Sequence, residues 1–244
     1  MCYNYIYWCI LISIGFKKGD NMSKRLFFQA LVKFILGVVI VGVLIFVSAG
    51  TFNYINGWIF MGILFVPMFI AGIIMMIKNP KLLESRLDVK EKQKDQSIVI
   101  KLSGLMFLVG FIVAGLDFRY KWIHIQSWIS YIFIAVFLLG YIMYAVVLKE
   151  NTYLSRTIKV CDNQKVIDTG LYGIVRHPMY TATLILFLSM PLVLGSLVSF
   201  FIFLIYPIII IIRIINEEKF LEKELDGYIE YKKKVKYRLI PFVF

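Results

Sequence analysis

The polar positions of this chain fall in clusters that divide long apolar blocks. The blocks run Leu26 to Ser48, Trp58 to Ile77, Ile98 to Leu116, Trp128 to Leu148, Tyr180 to Leu194 and Leu197 to Ile212. Each is a helix candidate by length and apolarity. The last two lie within one uncharged run, Met179 to Ile212. As a single helix that run would measure roughly 50 Å, well over the ~30 Å hydrocarbon core, yet two full spans would need about 40 residues. A hairpin of two short helices fits, with its break at Pro191 to Ser196. The hairpin returns its two flanking clusters, Arg176-His177-Pro178-Met179-Tyr180 and Arg213-Ile214-Ile215-Asn216-Glu217-Glu218, to one side of the membrane. Polar groups at a membrane boundary are costly, so their convergence is a site hypothesis.

Sixty per cent of the 244 residues are hydrophobic, above the level of ordinary soluble domains. The fold class expected is all-α: a polytopic transmembrane helical bundle of about five spans, the last a helical hairpin, with cytosolic amphipathic helices at the C-terminus. Residues 22–148 form the four-helix membrane region and residues 149–244 the region carrying the candidate site. Met22-Ser23-Lys24-Arg25 reads as a natural beginning, which makes residues 1–21 an upstream extension. The segments 17–25, 78–101, 149–178 and 213–244 hold 24 lysines and arginines, against two in the alternate loops. By the positive-inside rule the first group is cytoplasmic. Trp58, Trp122 and Trp128 stand at span ends, as in aromatic belts.

The net charge of +12 follows from these flanking lysines and does not point to nucleic acid. Ile214 to Leu225 reads as a helix leaving the membrane and stopping at Asp226-Gly227. A short basic turn over Tyr228 to Val235 follows, with Lys232, Lys233 and Lys234 suited to anionic lipid. Cys2, Cys9 and Cys161 form no CxxC pair, and His124 and His177 are the only histidines. No metal site is expected. Dinucleotide-fold and phosphate-loop glycine motifs are absent from the sequence.

Arg213 and Glu217 are four residues apart, hence on one helical face, and read as an ion pair. His177 precedes Pro178, which suits the first turn of a helix, so His177 sits at an N-cap whose free N–H groups attract a carboxylate or phosphate. Arg176 adds a fixed positive charge. Val166 to Gly173 reads as an extended piece and a tight turn, with Gly170 and Gly173 permitting close backbone approach.

Gly170-Leu171-Tyr172, Arg176-His177-Pro178-Met179-Tyr180, the apolar hairpin, Arg213 with Glu217-Glu218, Tyr228 with Tyr231, and Arg238 with Pro241 occur in that order. Together they resemble the isoprenylcysteine carboxyl methyltransferase family, which groups with membrane phospholipid methyltransferases. Asn79-Pro80 with Arg86, and Ala114 to Arg119, resemble its bacterial members. The resemblance implies S-adenosylmethionine as cofactor, bound from the cytosol. It implies a cofactor pocket of His177, Pro178, Met179, Tyr180, Tyr172 and a strand of Gln164, Lys165, Val166 and Ile167, with Lys159 a further candidate. Glu217 would contact the cofactor and Arg213 would orient the methyl acceptor, making them the catalytic candidates. The acceptor would be a lipophilic small molecule or a lipidated substrate met among membrane lipids. A lipophilic carboxylate is the first choice, and a lipid amine or thiol stays open. Two other classes also stay open: a nicotinamide-dependent membrane reductase and a non-enzymatic membrane protein. The sequence leaves the oligomeric state undetermined.

Overall fold

The computed structural model describes residues 22–87, 94–123, 125–154, 160 and 164–244. The expected upstream extension, the three cysteines, His124 and Lys159 lie outside the described residues. The described elements are helical: α1 (Met22–Ala49), α2 (Ile55–Lys78), α3 (Pro80–Leu87), α4 (Lys94–Tyr120), α5 (Ser127–Glu150), a single 3₁₀ turn (Gly170–Gly173), α6 (Pro178–Val193), α7 (Leu197–Phe203), α8 (Ile205–Glu224) and α9 (Tyr228–Lys234). Five stretches are long and apolar enough to cross a membrane: Lys24–Ala49, Ile55–Lys78, Ile98–Tyr120, Ser127–Glu150 and Leu197–Glu224. The protein is an integral, multi-pass membrane bundle.

The expected spans and the observed helices agree in number and type, and their ends differ in instructive ways. Residues 80–87 were expected as part of a polar loop and form α3. Asn79 ends α2, and its Oδ1 accepts the Leu82 N–H at 3.1 Å; Pro80 then occupies the first helical position, where its missing N–H costs nothing.

The hairpin departs from two short limbs. Its first limb, α6, has 16 residues, about 24 Å, and is shorter than a span. Its second limb runs through α7 and α8 over 28 residues. It joins the expected span ending at Ile212 to the expected helix over Ile214 to Leu225, with Arg213, Glu217 and Glu218 bonded inside the protein. Pro191 also does not break the first limb; it lies in the last turn of α6. The reversal comes at Gly195, whose φ of 78° is left-handed and costs glycine little.

The end of the bundle carrying this turn is held by polar contacts reaching the hairpin from three other helices. The Tyr54 hydroxyl donates to the Leu194 carbonyl. Ser130 Oγ donates to the Leu192 carbonyl at 2.9 Å. Ser196 Oγ donates to the buried Asp117 carboxylate at 2.6 Å and accepts the Ser199 N–H at 3.1 Å, capping α7. Lipid tails give helices no hydrophobic reason to associate, so close packing and such hydrogen bonds carry the assembly. Phe107 packs edge-on against Phe187 and Phe203, with ring centroids 4.9 and 5.4 Å apart. α5 and α6 approach closely at Gly140, where a Cβ would stand 2.9 Å from Leu186. This contact sets the position of α6, and with it the start of the candidate site.

Candidate functional site

At the opposite end of α6 the chain enters the helix through Arg176 and His177. Their backbone N–H groups donate to the carbonyls of Tyr237 and Arg238, both at 2.9 Å. The C-terminal segment therefore lies alongside the start of α6. A carboxylate on α8 fastens it there. Glu218 accepts from Arg176 Nε at 2.7 Å and Arg238 Nε at 3.0 Å, and its Oε1 is 3.2 Å from His177 Nε2. Lys232 Nζ stands 3.8 Å away. Arg176 also donates to the Val235 and Lys236 carbonyls at 2.7 Å each. Both charges are buried, an arrangement that holds only when the remaining donors and acceptors are satisfied. Arg176 was expected to offer its charge to an anion; here Glu218 and two carbonyls occupy it. His177 is the N-cap residue of α6 by position, but its side chain makes no cap hydrogen bond and turns to Glu218.

One residue earlier, a 100° turn of the helix aims Glu217 elsewhere. The Tyr180 hydroxyl donates to Glu217 Oε2 and accepts from Arg213 Nε at 2.8 Å. The expected Arg213–Glu217 pair is thus joined through a tyrosine hydroxyl. The guanidinium lies 5.9 Å from the Tyr180 ring centroid, and the His177 ring lies 5.7 Å away on a 30° tilt. Each hydrogen bond in this chain involves an ionised partner, which makes it stronger than a neutral one.

Glu217 and Tyr180 face a cleft of about 110 Å³ between α6, α8 and the tail. Of the residues singled out in the sequence, Gln164, Lys165, Val166, Ile167, Tyr172, Arg176, His177, Met179, Tyr180 and Glu217 line it, with Arg86, Tyr228 and Tyr231 from the ordered motifs. Residues 164–167 do not form the expected strand; they are irregular chain along the cleft. Pro178 is buried as the first residue of α6 and lies outside the lining. Arg213, 1% exposed, stands behind Tyr180 and is also outside it. Lys159 lies outside the described residues.

The turn before α6 is held from α5: Glu150 accepts the Leu171 N–H at 3.2 Å and the Thr169 hydroxyl at 3.1 Å. Asn151 Nδ2 donates to the Tyr172 hydroxyl at 3.1 Å, and the Tyr231 hydroxyl donates to the Tyr172 carbonyl at 2.8 Å. Tyr228 also lines the cleft; its buried hydroxyl has no hydrogen-bond partner among the described residues. Burial holds the Tyr172, Tyr228 and Tyr231 phenols above their ordinary titration range. All three are neutral donors at physiological pH.

The phospholipid methyltransferase family matches residues 127–226. The match begins with α5 and ends just after α8. It covers every residue of the cleft except Arg86, Tyr228 and Tyr231. The chain is also similar to the Delta(14)-sterol reductase of Mus musculus, at 34% identity over 91 residues. That alignment covers 36% of this chain and 22% of the reductase, so the chain spans about a fifth of that relative's length. A membrane bundle whose cleft coincides with a methyltransferase-type domain is the coarse description these observations carry.

Sequence reasoning gave three residues no role at this site. Glu218 stands beside Glu217 in the sequence, and the doublet alone did not show that the two carboxylates serve different partners. Tyr228 was noted only as part of an ordered motif. Arg86 reaches the cleft from α3, far away in sequence, and no local pattern signals that contact.

Proposed function

We propose that this protein is an S-adenosylmethionine-dependent membrane methyltransferase acting on a lipophilic acceptor, with a carboxylate of isoprenylcysteine type as the leading candidate. What carries the reading is the coincidence of the matched domain with a cleft that presents the Glu217 carboxylate, the Tyr180 and Tyr172 rings and the Tyr228 hydroxyl, which has no partner among the described residues. These groups suit the cofactor: a carboxylate and aromatic faces favour a sulfonium cation, and a buried phenol without a partner is a donor waiting for a polar ligand. The volume is below the ~300 Å³ common for small-molecule sites. Binding would therefore need the lining to part.

When bound, the cofactor supplies an electrophilic methyl group. The chain's residues then align and neutralise; none has to act as a covalent nucleophile. Glu217 faces the cation, Tyr180 fixes the Glu217 carboxylate, and Arg213 holds Tyr180. His177 packs on the Tyr180 ring and so ties the cleft to the Glu218 cluster. Alignment of two bound reactants can supply several kcal/mol of the barrier reduction. The distribution of lysine and arginine favours a cytosolic site with a cytosolic tail.

Calorimetry of the purified protein with S-adenosylhomocysteine tests this reading. Saturable binding supports it, and no heat at millimolar ligand ends it. The likeness to a sterol reductase favours a second reading, a nicotinamide-dependent reductase. Tight binding of the reduced dinucleotide with no binding of S-adenosylhomocysteine would select it.

A further inference from the structure

A second cavity, about 590 Å³, lies between α1, α2, α5 and α6, with α3 supplying Leu83, Arg86 and Leu87. Its volume is that of sites which bury a drug-sized ligand. Its lining is apolar except at one end. Ile73 and Ile77 of α2 line it and are exposed side chains on a helix long and apolar enough to span a membrane, so it is open at that wall. The charged residues of its described lining are Lys33 and Arg86, both basic. Lys33 Nζ donates to the Leu87 carbonyl at 2.7 Å, which places its ammonium at the end of α3 near Arg86.

Arg86 lines the cavity and the cleft alike. Its guanidinium donates to the Tyr144 hydroxyl, on the cavity side. It stands 3.9 Å from Met179 Sδ, on the cleft side. Arg213 borders neither space and bonds to Tyr180.

We propose that Arg86, in place of Arg213, holds the anionic head of the methyl acceptor, while the acceptor's hydrocarbon chain occupies the apolar cavity. This rests on the methyltransferase reading above and names its acceptor site. The occupant is a long-chain amphiphile with a terminal carboxylate, because the cavity is apolar along its length and basic where it meets the cleft.

The step balances. A carboxylate oxygen forms the new C–O bond to the methyl carbon as the C–S bond breaks, and the electron pair stays on sulfur. No proton has to leave. The ester formed is neutral, so its charge-assisted hold on Arg86 is lost as it forms, and the product is free to leave sideways into the bilayer. Arg213 is then a positioning residue that acts through Tyr180.

The test uses the full-length protein in phosphatidylcholine nanodiscs without cofactor. A fluorescent conjugated-tetraene C18 fatty acid and its methyl ester are titrated, with empty nanodiscs as background. Wild type is expected to bind the acid about tenfold or more tightly than the ester. Arg86→Leu is expected to remove that preference by weakening the acid alone, and Arg86→Lys to restore part of it. Gly72 lines the cavity, and a Cβ there meets nothing within 4 Å. Gly72→Phe should therefore fold normally, fill the space and weaken acid and ester together. Equal binding of acid and ester by wild type overturns the proposal. So does an acid preference that survives Arg86→Leu, or unchanged binding in Gly72→Phe. S-adenosylhomocysteine binding without any acid preference would sink this inference alone. Acid preference without S-adenosylhomocysteine binding would leave the anionic-lipid site standing and sink the methyltransferase reading.

Discussion

Replacing Glu218 by alanine should release the C-terminal segment while the membrane bundle stays folded. Glu218 is the common acceptor for Arg176 and Arg238 and the partner of His177, and the Arg176–Glu218 pair is buried on both sides, with 4% side-chain exposure each. Removing one partner of a buried ion pair costs about 3–5 kcal/mol, because the other charge is left uncompensated. Arg176 keeps its bonds to the Val235 and Lys236 carbonyls, so the lower end of that range applies. About 3 kcal/mol corresponds to roughly a hundredfold rise in the local opening constant. Hydrogen exchange reports such local opening residue by residue. The amides to watch are those of Arg176 and His177, which donate to Tyr237 and Arg238. They should exchange about a hundredfold faster in Glu218→Ala, with the amides of α1 unchanged. Unaltered exchange at Arg176 and His177 would refute the fastening role. Equal acceleration in α1 would mean that the whole fold had been lost and would refute the local account as well.

Three further outcomes follow from the same geometry. Tyr228→Phe removes a buried hydroxyl that has no partner among the described residues; thermal stability should be unchanged or slightly raised, while S-adenosylhomocysteine affinity falls by about three- to tenfold, and unchanged affinity would remove Tyr228 from the site. Gly170 has φ 50°, and a Cβ there would stand 2.1 Å from Glu150 Oε1, so Gly170→Ala should destabilise by about 1–3 kcal/mol in denaturant titration, against no change if the turn is plastic. Burial raises the phenol titrations of Tyr172, Tyr228 and Tyr231. Their contribution to tail docking is therefore complete below the ordinary phenol value near 10 and is lost as pH rises through their folded values. Limited proteolysis of the tail should be flat from about pH 6 to 9 and increase above about pH 10. Release of the tail between pH 7 and 9 would contradict this.

The helices were legible because lipid leaves the chain few choices: an apolar run of span length has to be a helix. Their ends were less so. The sequence placed a span to Ile212 and a separate helix from Ile214 to Leu225; the two are one helix, α8, with Arg213 and Glu217 both bonded to Tyr180 of the other limb. Pro191 looks like a breaker, yet α6 runs two residues past it to Val193 and the reversal waits for Gly195. Within the cleft, Tyr172, His177, Met179, Tyr180 and Glu217 belong to the ordered motif, whereas residues 164–167 were expected only through the family resemblance, as a strand they do not form. The spacing of Arg213 and Glu217 showed a shared face but could not show the hydroxyl between them. Glu218 and Arg86 acquire their roles from Arg238 and Met179, partners brought in by tertiary packing. Arg176 was assigned to a ligand for the same reason: its carbonyl partners lie in the tail, beyond any helical or turn spacing.

The central claim is methyl transfer at the Glu217–Tyr180 cleft to a lipophilic carboxylate. Its most direct measurement incubates membranes containing the protein with S-adenosylmethionine labelled in the methyl group and counts label in the organic extract before and after mild alkali. The account predicts extractable label from wild type, converted to volatile methanol by alkali, and little or none from Glu217→Gln. Extractable label that alkali does not release would contradict the carboxylate acceptor. No transfer above the Glu217→Gln control, in membranes that support S-adenosylhomocysteine binding, would contradict the enzymatic claim itself.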